Sequence, residues 1–262
     1  MNDQSPNQYT ILFENDPVFA TAPAQIVRIV LPLETAADAG SFRLGGFGFA
    51  NLNFEVPEGQ STYTTTLDLT DTLGVIVRVT AGLDVVAQEA FWLFESLDAQ
   101  TGLAPQDALA GFLPVNDSTK IGEGYVNLLL APGSTSGSLG QLSATADIFF
   151  DDNEAIVTNT WVNAVDGILP ASQIDSLTVG EADSLWVYTT ASDSGSGLAA
   201  YDVYYALSGE PLQLLARGLA DGSPIPLTDY LSDTTYCFTS QAIDSAGNRE
   251  AFDSTRLVCF RT

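Results

Sequence analysis

Residues 61–70 read STYTTTLDLT, and this stretch decides the fold. Tyr63, Thr65, Leu67 and Leu69 alternate with Thr62, Thr64, Thr66, Asp68 and Thr70, a period of two. Successive side chains of a strand point to opposite faces, so this alternation gives a half-buried strand and not a helix. Similar runs are YTILFE (9–14), AQIVRIVL (24–31), GVIVRVTA (74–81), VAQEAFWLFE (86–95), GYVNLLLA (124–131) and LSATADIFF (142–150). Turn formers separate them: Asn15-Asp16-Pro17, Pro57-Glu58-Gly59, Pro132-Gly133. No long helical period is present, and ETAADAG (34–40) has room for one helical turn at most.

The pattern restarts after DGILPAS (166–172), with SLTVG (176–180), SLWVYTTA (184–191), LAAYDVYYAL (198–207), LQLLA (212–216), TYCFTSQAID (235–244) and TRLVCF (255–260). Turns contain DSGSG (193–197), SGEP (208–211) and DSAGN (244–248). The expectation is an all-β chain of two tandem β-sandwich domains of immunoglobulin or fibronectin type III-like kind, over residues 1–167 and 168–262. In the second domain Trp186 is expected in the core, and Tyr236 at the position of a tyrosine corner.

Charge is the strongest global signal. The 262 residues carry 33 acids against 8 bases, a net charge of −25, and Lys120 is the sole lysine. Such a surface repels nucleic acid and anionic membranes and favours cations. There is no histidine, which removes Ser-His-Asp and Cys-His catalysis and histidine zinc sites. Two cysteines are too few for a thiolate zinc site. No apolar run approaches the roughly 18–20 residues that span a bilayer, so no membrane insertion is expected. MNDQSPNQYT (1–10) has neither a basic nor an apolar leader segment. A mature domain cut from a longer secreted chain, with an added Met1, would read this way.

Residues 149–167, FFDDNEAIVTNTWVNAVDG, end a strand in Asp151, Asp152, Asn153 and Glu154, and go on to Asn159, Asn163 and Asp166. Calcium takes six to eight oxygen ligands from such loops. The EF-hand register is missing, and an interdomain site in an Asp/Asn-rich linker is the nearer analogy. Glu14, Asn15 and Asp16 form a second acidic loop, and Asp98, Asp107, Asn116, Asp117 and Glu123 a third. The competing reading is plain turn capping by Asp and Asn. The long loop from SLDAQTG to GFLPVNDSTKIGEG is tied down either by an ion or by packing Leu103, Leu109, Phe112 and Leu113 over a sheet end. Asp193, Asp244, Asn248 and Glu250 sit in turns that could face one another, although Glu250 has Arg217 or Arg249 as an alternative partner. Trp92 and Trp161 are candidates for a sugar platform, with core placement favoured for both. LGGFGFAN (44–51) is followed by no helix and so reads as no phosphate loop.

SDSGSGLAAYDVYYALSGEP (192–211) followed by SQAIDSAGNRE (240–250) resembles fibronectin type III-like modules of large bacterial surface proteins. ILFENDPVFATAPAQIVRI (11–29), FRLGGFGF (42–49), VPEGQSTYTTTLDL (56–69), VTAGLD (79–84), GFLPVND (111–117) and GEGYV (122–126) look like a module of very large, secreted or surface-anchored, adhesin-like bacterial proteins associated with calcium. In a fibronectin-like fold Cys237 and Cys259 would lie on consecutive antiparallel strands, where a disulfide closes a loop worth about 3 kcal/mol. Two buried thiols are the alternative.

The functional expectation is a non-catalytic, extracellular structural or adhesion module stabilised by calcium. Its partners would be neighbouring domains of the same long chain and a surface glycan or protein ligand. The alternatives are a calcium-organised glycan- or peptide-binding module and an accessory domain of a secreted hydrolase.

Overall fold

The computed structural model describes residues 6–134, 138–180, 184–207, 209–220 and 222–262. Ser208, at the head of the SGEP turn, lies outside the described residues. The chain is all-β and divides into two compact units, one of residues 6–134 and 141–163, the other of 138–140 and 164–262. No described helix is long and apolar enough to cross a membrane.

In chain order the first strands are β1 (Asn7–Glu14), β2 (Ile26–Pro32), β3 (Ala37–Phe49), β4 (Leu52–Phe54), β5 (Thr62–Leu69), β6 (Val75–Asp84), β7 (Glu89–Leu97) and β8 (Glu123–Pro132). They continue with β9 (Leu139–Ala144), β10 (Asp147–Phe150), β11 (Ile156–Val157) and β12 (Trp161–Asp166). One sheet has the order β1-β8-β3-β4, a second the order β11-β10-β2-β7-β6-β5, and β9 pairs with β12. The two larger sheets enclose one core, because the period-two pattern gives each an apolar face. In β6, Val75, Val77, Val79 and Ala81 are buried, while the residues between them turn outward. Phe94 on β7 is fully buried, with its ring centroid 5.9 Å from Phe13 on β1, 5.7 Å from Phe47 and 5.8 Å from Phe49 on β3, and 5.7 Å from Phe112.

The long loop reaches this core through Phe112 and Leu113 alone of its four apolar candidates. Leu103 and Leu109 are 69 % and 68 % exposed, so the expectation that they pack is corrected. The Phe112 N–H donates to the buried Ser96 hydroxyl at 3.0 Å, and Ala24 and Leu113 form an isolated bridge. Packing therefore ties this loop down. The glycines of 44–51 serve strand approach: a Cβ on Gly45 would lie 2.8 Å from the Cβ of Asn127 on β8.

Two local expectations change. Residues 34–36 form a turn closed by the Ala37 N–H on the Glu34 carbonyl and residues 37–40 open β3, whereas Thr70–Leu73 form a single helical turn after β5, closed by Gly74 in the left-handed conformation (φ 74°). LSATADIFF divides between β9 and β10.

The second unit contains β13 (Ala171–Val179), β14 (Leu185–Ser192), β15 (Leu198–Leu207), β16 (Gln213–Leu219), β17 (Ile225–Leu227), β18 (Thr235–Asp244) and β19 (Val258–Arg261). They form a three-stranded sheet, β13-β14-β17, and a four-stranded sheet, β16-β15-β18-β19. Leu185, Val187, Tyr201, Val203, Phe238 and Ala242 fill the space between them. Trp186 is not in this core: it sits between Leu185 and Val187 on the opposite face of β14 and is half-buried. Tyr236 is 4 % exposed, and its hydroxyl accepts the Leu231 N–H at 2.9 Å, the bond of a tyrosine corner.

Cys237 and Cys259 stand directly opposite one another on β18 and β19 and form a disulfide across a sequence separation of 22. Short β19 (VCFR) is an edge strand, and the bond holds it on the sheet. Replacing both cysteines by serine is expected to lower the stability of the second unit by about 3 kcal/mol, read as an earlier midpoint in urea unfolding.

Candidate metal centre

Three turns meet at one place in the second unit. Asp166 ends β12, Asp193 directly follows β14, and Asp244 ends β18. Each of these acids offers one carboxylate oxygen within 4.8 Å of the other two, the one such group of three found among the described residues. Asp166 and Asp244 are 3 % and 2 % exposed, and Asn248 beside them is 7 % exposed.

The local sequence builds the site. Both DSGSG and DSAGN place an aspartate at a strand end before a turn that folds back on it. The Asp193 Oδ2 accepts the N–H groups of Gly195 and Gly197, at 2.9 and 2.8 Å. The Asp244 carboxylate accepts both the N–H and the side-chain amide of Asn248, at 2.8 and 2.7 Å. That amide also donates to the Asp166 carbonyl at 2.8 Å, which joins the end of β12 to the turn after β18. Asp166 accepts the Ile168 N–H at 2.9 Å and the Ser196 N–H at 2.5 Å. The second contact requires Gly195, since a Cβ there would fall 2.3 Å from the Asp166 carboxylate.

Burial alone would raise the pKa of Asp166, but the hydrogen bonds from Ile168 and Ser196 outweigh it and hold the group below its ordinary 3.8. It is therefore ionised at neutral pH. A second ionised carboxylate at 4.8 Å would repel it by roughly 3 kcal/mol at an effective dielectric near 20. No ion pair among the described residues reaches Asp166, Asp193 or Asp244. The Asp193 Oδ1 is buried and has no hydrogen-bond partner. An all-oxygen donor set with one orphaned carboxylate oxygen fits a hard divalent cation such as calcium.

Of the other residues expected to bind metal, four line one cleft and the rest are dispersed. Asp151 takes a positive φ of 51°, and its Oδ1 accepts the N–H groups of Gln25 and Ile26, at 2.9 and 2.8 Å, at the start of β2. Asp152 is exposed. Glu14, Asp16, Asn153 and Glu154, from two separate stretches, line one cleft of about 240 Å³. Asp16 caps its own turn by accepting the Val18 N–H at 2.8 Å. Asn159 lines a groove with Trp161, and Asn163 bonds Trp161 and Tyr9. Asp117 accepts the N–H and hydroxyl of Thr119, while Asn116 donates to Glu14 at 2.7 Å. Asp98 and Asp107 likewise accept from residues two or three positions on. Asp166 alone of the linker set joins the cluster, and it does so with Asp193, Asp244 and Asn248.

Glu250 stands apart and pairs with neither Arg217 nor Arg249. Arg256 donates to its Oε1 at 2.7 Å, and the Ser172 hydroxyl and the Ala242 N–H donate to its Oε2, at 2.5 and 3.1 Å. Arg217 lies 3.8 Å from Asp202 instead. The sole lysine, Lys120, pairs with Glu123 at 3.3 Å. Trp92 is fully buried, as expected, but Trp161 is 60 % exposed, which corrects its core placement.

No protein-family model and no curated protein matches the chain. Solved structures do match. The structure named BspA_C_WT is 12 % identical with a TM-score of 0.42, over 100 % of this chain and 94 % of its own. The C-terminal domain of the Streptococcus pyogenes antigen I/II-family protein AspA is 12 % identical with a TM-score of 0.43, over the same shares. A beta-1,2-glucanase from Parabacteroides distasonis is 17 % identical with a TM-score of 0.26, over 97 % of this chain and 30 % of its own. At these identities and scores the likenesses carry no inference about activity.

Burial works to raise the pKa of Glu250, and the bonds from Ser172, Ala242 and Arg256 bring it below its ordinary 4.5. A depressed carboxylate stabilises the fold above its unfolded value, and that contribution disappears as pH falls through the folded one. Glu250→Gln is expected to cost about 2 kcal/mol at pH 7 and to flatten the loss of stability below about pH 4.5, both read from urea unfolding across pH.

Proposed function

We propose that the chain is a non-catalytic, extracellular structural or adhesive module of a bacterial surface protein, with its second unit stabilised by calcium at Asp166, Asp193 and Asp244. The observation that carries the calcium reading is the buried Asp193 Oδ1 without a donor, beside two nearly buried carboxylates. A divalent ion there would satisfy the orphaned oxygen and offset the repulsion among the acids. The ion would tie the end of β12 to the turns after β14 and β18, and so pin the entry of the chain into the sandwich. The cross-strand disulfide accords with an oxidising compartment outside the cell. The net charge of −25 accords with a cation-binding surface and with no nucleic-acid partner. Neighbouring domains of a longer chain remain the proposed structural partners, and the second unit is proposed as fibronectin type III-like.

An ion that binds only the folded state raises the melting temperature by mass action. Millimolar calcium is expected to raise the melting temperature of the wild-type chain by several degrees over chelator, and equimolar magnesium to raise it far less. In Asp193→Asn the calcium increment is expected to vanish while the chelator melt stays near or above the wild-type value. An equal rise with both ions would assign the effect to charge screening, and an undiminished calcium-specific rise in the variant would place the ion away from Asp193.

A further inference from the structure

A groove of about 470 Å³ runs along β1 in the first unit, facing residues 144–146, 158, 159 and 161. Its volume lies in the range of small-ligand sites. None of its lining residues is charged, in a chain with 33 acids. It is lined by the amides of Gln8 and Asn159, the ring of Trp161, and the hydroxyls of Thr10, Thr145 and Thr158, whose protons go to Asn127, Thr160 and Asn159 and which therefore face a ligand only as acceptors.

Trp161 is 60 % exposed yet held in place. Its indole N–H donates to the Asn163 Oδ1 at 3.2 Å, and the Asn163 amide donates to the Tyr9 hydroxyl at 2.8 Å. A large apolar ring that is fixed in orientation and open to water is prepared for a flat partner, because little side-chain entropy remains to be lost on binding. β1 is also an edge strand of its sheet. Asn15, just beyond it, donates its N–H to the Gly122 carbonyl. The antiparallel alternation then directs the backbone groups of Gln8, Thr10 and Leu12 away from β8. These three residues line the groove.

From this lining we infer that the groove binds a neutral oligosaccharide, with one sugar ring stacked on Trp161 and its hydroxyls bonded by amides, threonine hydroxyls and the free backbone of β1. Sugars present an apolar C–H face and a rim of hydroxyls, which matches an uncharged aromatic and amide lining. An anionic ligand finds no cation in the groove, and a cationic one finds no acid. An extended peptide could add to the β1 edge, but that mode makes no use of an exposed indole held by Asn163. This inference deepens the adhesive reading above by naming the class of ligand, and it rests on that reading.

The test is titration of the whole chain with a panel of neutral gluco-, galacto-, manno- and N-acetylglucosamine oligosaccharides and a panel of uncharged extended peptides, read by calorimetry and tryptophan fluorescence. At least one oligosaccharide is expected to bind at or below the millimolar range. Trp161→Ala should weaken that binding at least tenfold, Trp161→Phe should restore part of it, and the thermal melt should stay near wild type because the ring is exposed. Asp193→Asn, in the other unit, should leave it unchanged, so failure of the calcium reading and failure of this one are separable. No oligosaccharide binding, binding indifferent to Trp161→Ala, or binding of peptides in place of sugars would each overturn the inference.

Discussion

A sheet with an apolar residue at every second position has one face that water rejects, and the molecule is organised around covering that face. In the first unit Phe94 lies where the two sheets meet, among Phe13, Phe47, Phe49 and Phe112. Strands β1, β3 and β7 and one long loop all deliver an aromatic ring to that point. Loops then have a fixed frame, so a side chain at a strand end is placed by the sheet below it. The acidic cluster depends on this, because Asp166 and Asp244 are terminal strand residues and Asp193 directly follows a strand.

The aspartates divide into two kinds by what they satisfy. Asp16, Asp84, Asp98, Asp107, Asp117 and Asp253 accept backbone N–H groups two or three residues on. That is short-range turn chemistry, and it absorbs much of the acidity that read as ligand sets. Asp166, Asp193 and Asp244 also bind local N–H groups, but they converge from positions far apart in the chain. Convergence, rather than local acid density, distinguishes the candidate centre. Residues 151–154 are the densest acidic run, yet Asp151 spends one oxygen on the start of β2.

Burial of single large residues followed strand phase, which is legible only when the partner sheet is known. Trp92 and Trp186 both lie on strands, but Trp92 points into its core and Trp186 away from the other. The choice between Phe112 and Leu103 in the long loop was likewise tertiary: Phe112 is bonded to Ser96 beneath the sheets, and Leu103 closes a surface turn with Asp98. Trp161 opens β12 directly after Thr158, Asn159 and Thr160, and its exposure comes from lying at the rim of a groove.

Period-two alternation, with turn residues at regular intervals, was enough to establish an all-β chain and the position of most strands, because strand geometry is a local property of the backbone and its side-chain pattern. The absence of histidine and the excess of acid were enough to exclude whole classes of chemistry. Spacing placed Cys237 and Cys259 on consecutive strands only by way of a family resemblance, and the register of β18 against β19 set them face to face. The turn sequences already grouped Asp193, Asp244 and Asn248, but that Asp166 joins them and Glu250 does not, which tryptophan meets water and which arginine holds Glu250 were decided by the tertiary structure alone. Each is a contact between residues far apart in the chain, and no local pattern records how sheets align the ends of their strands.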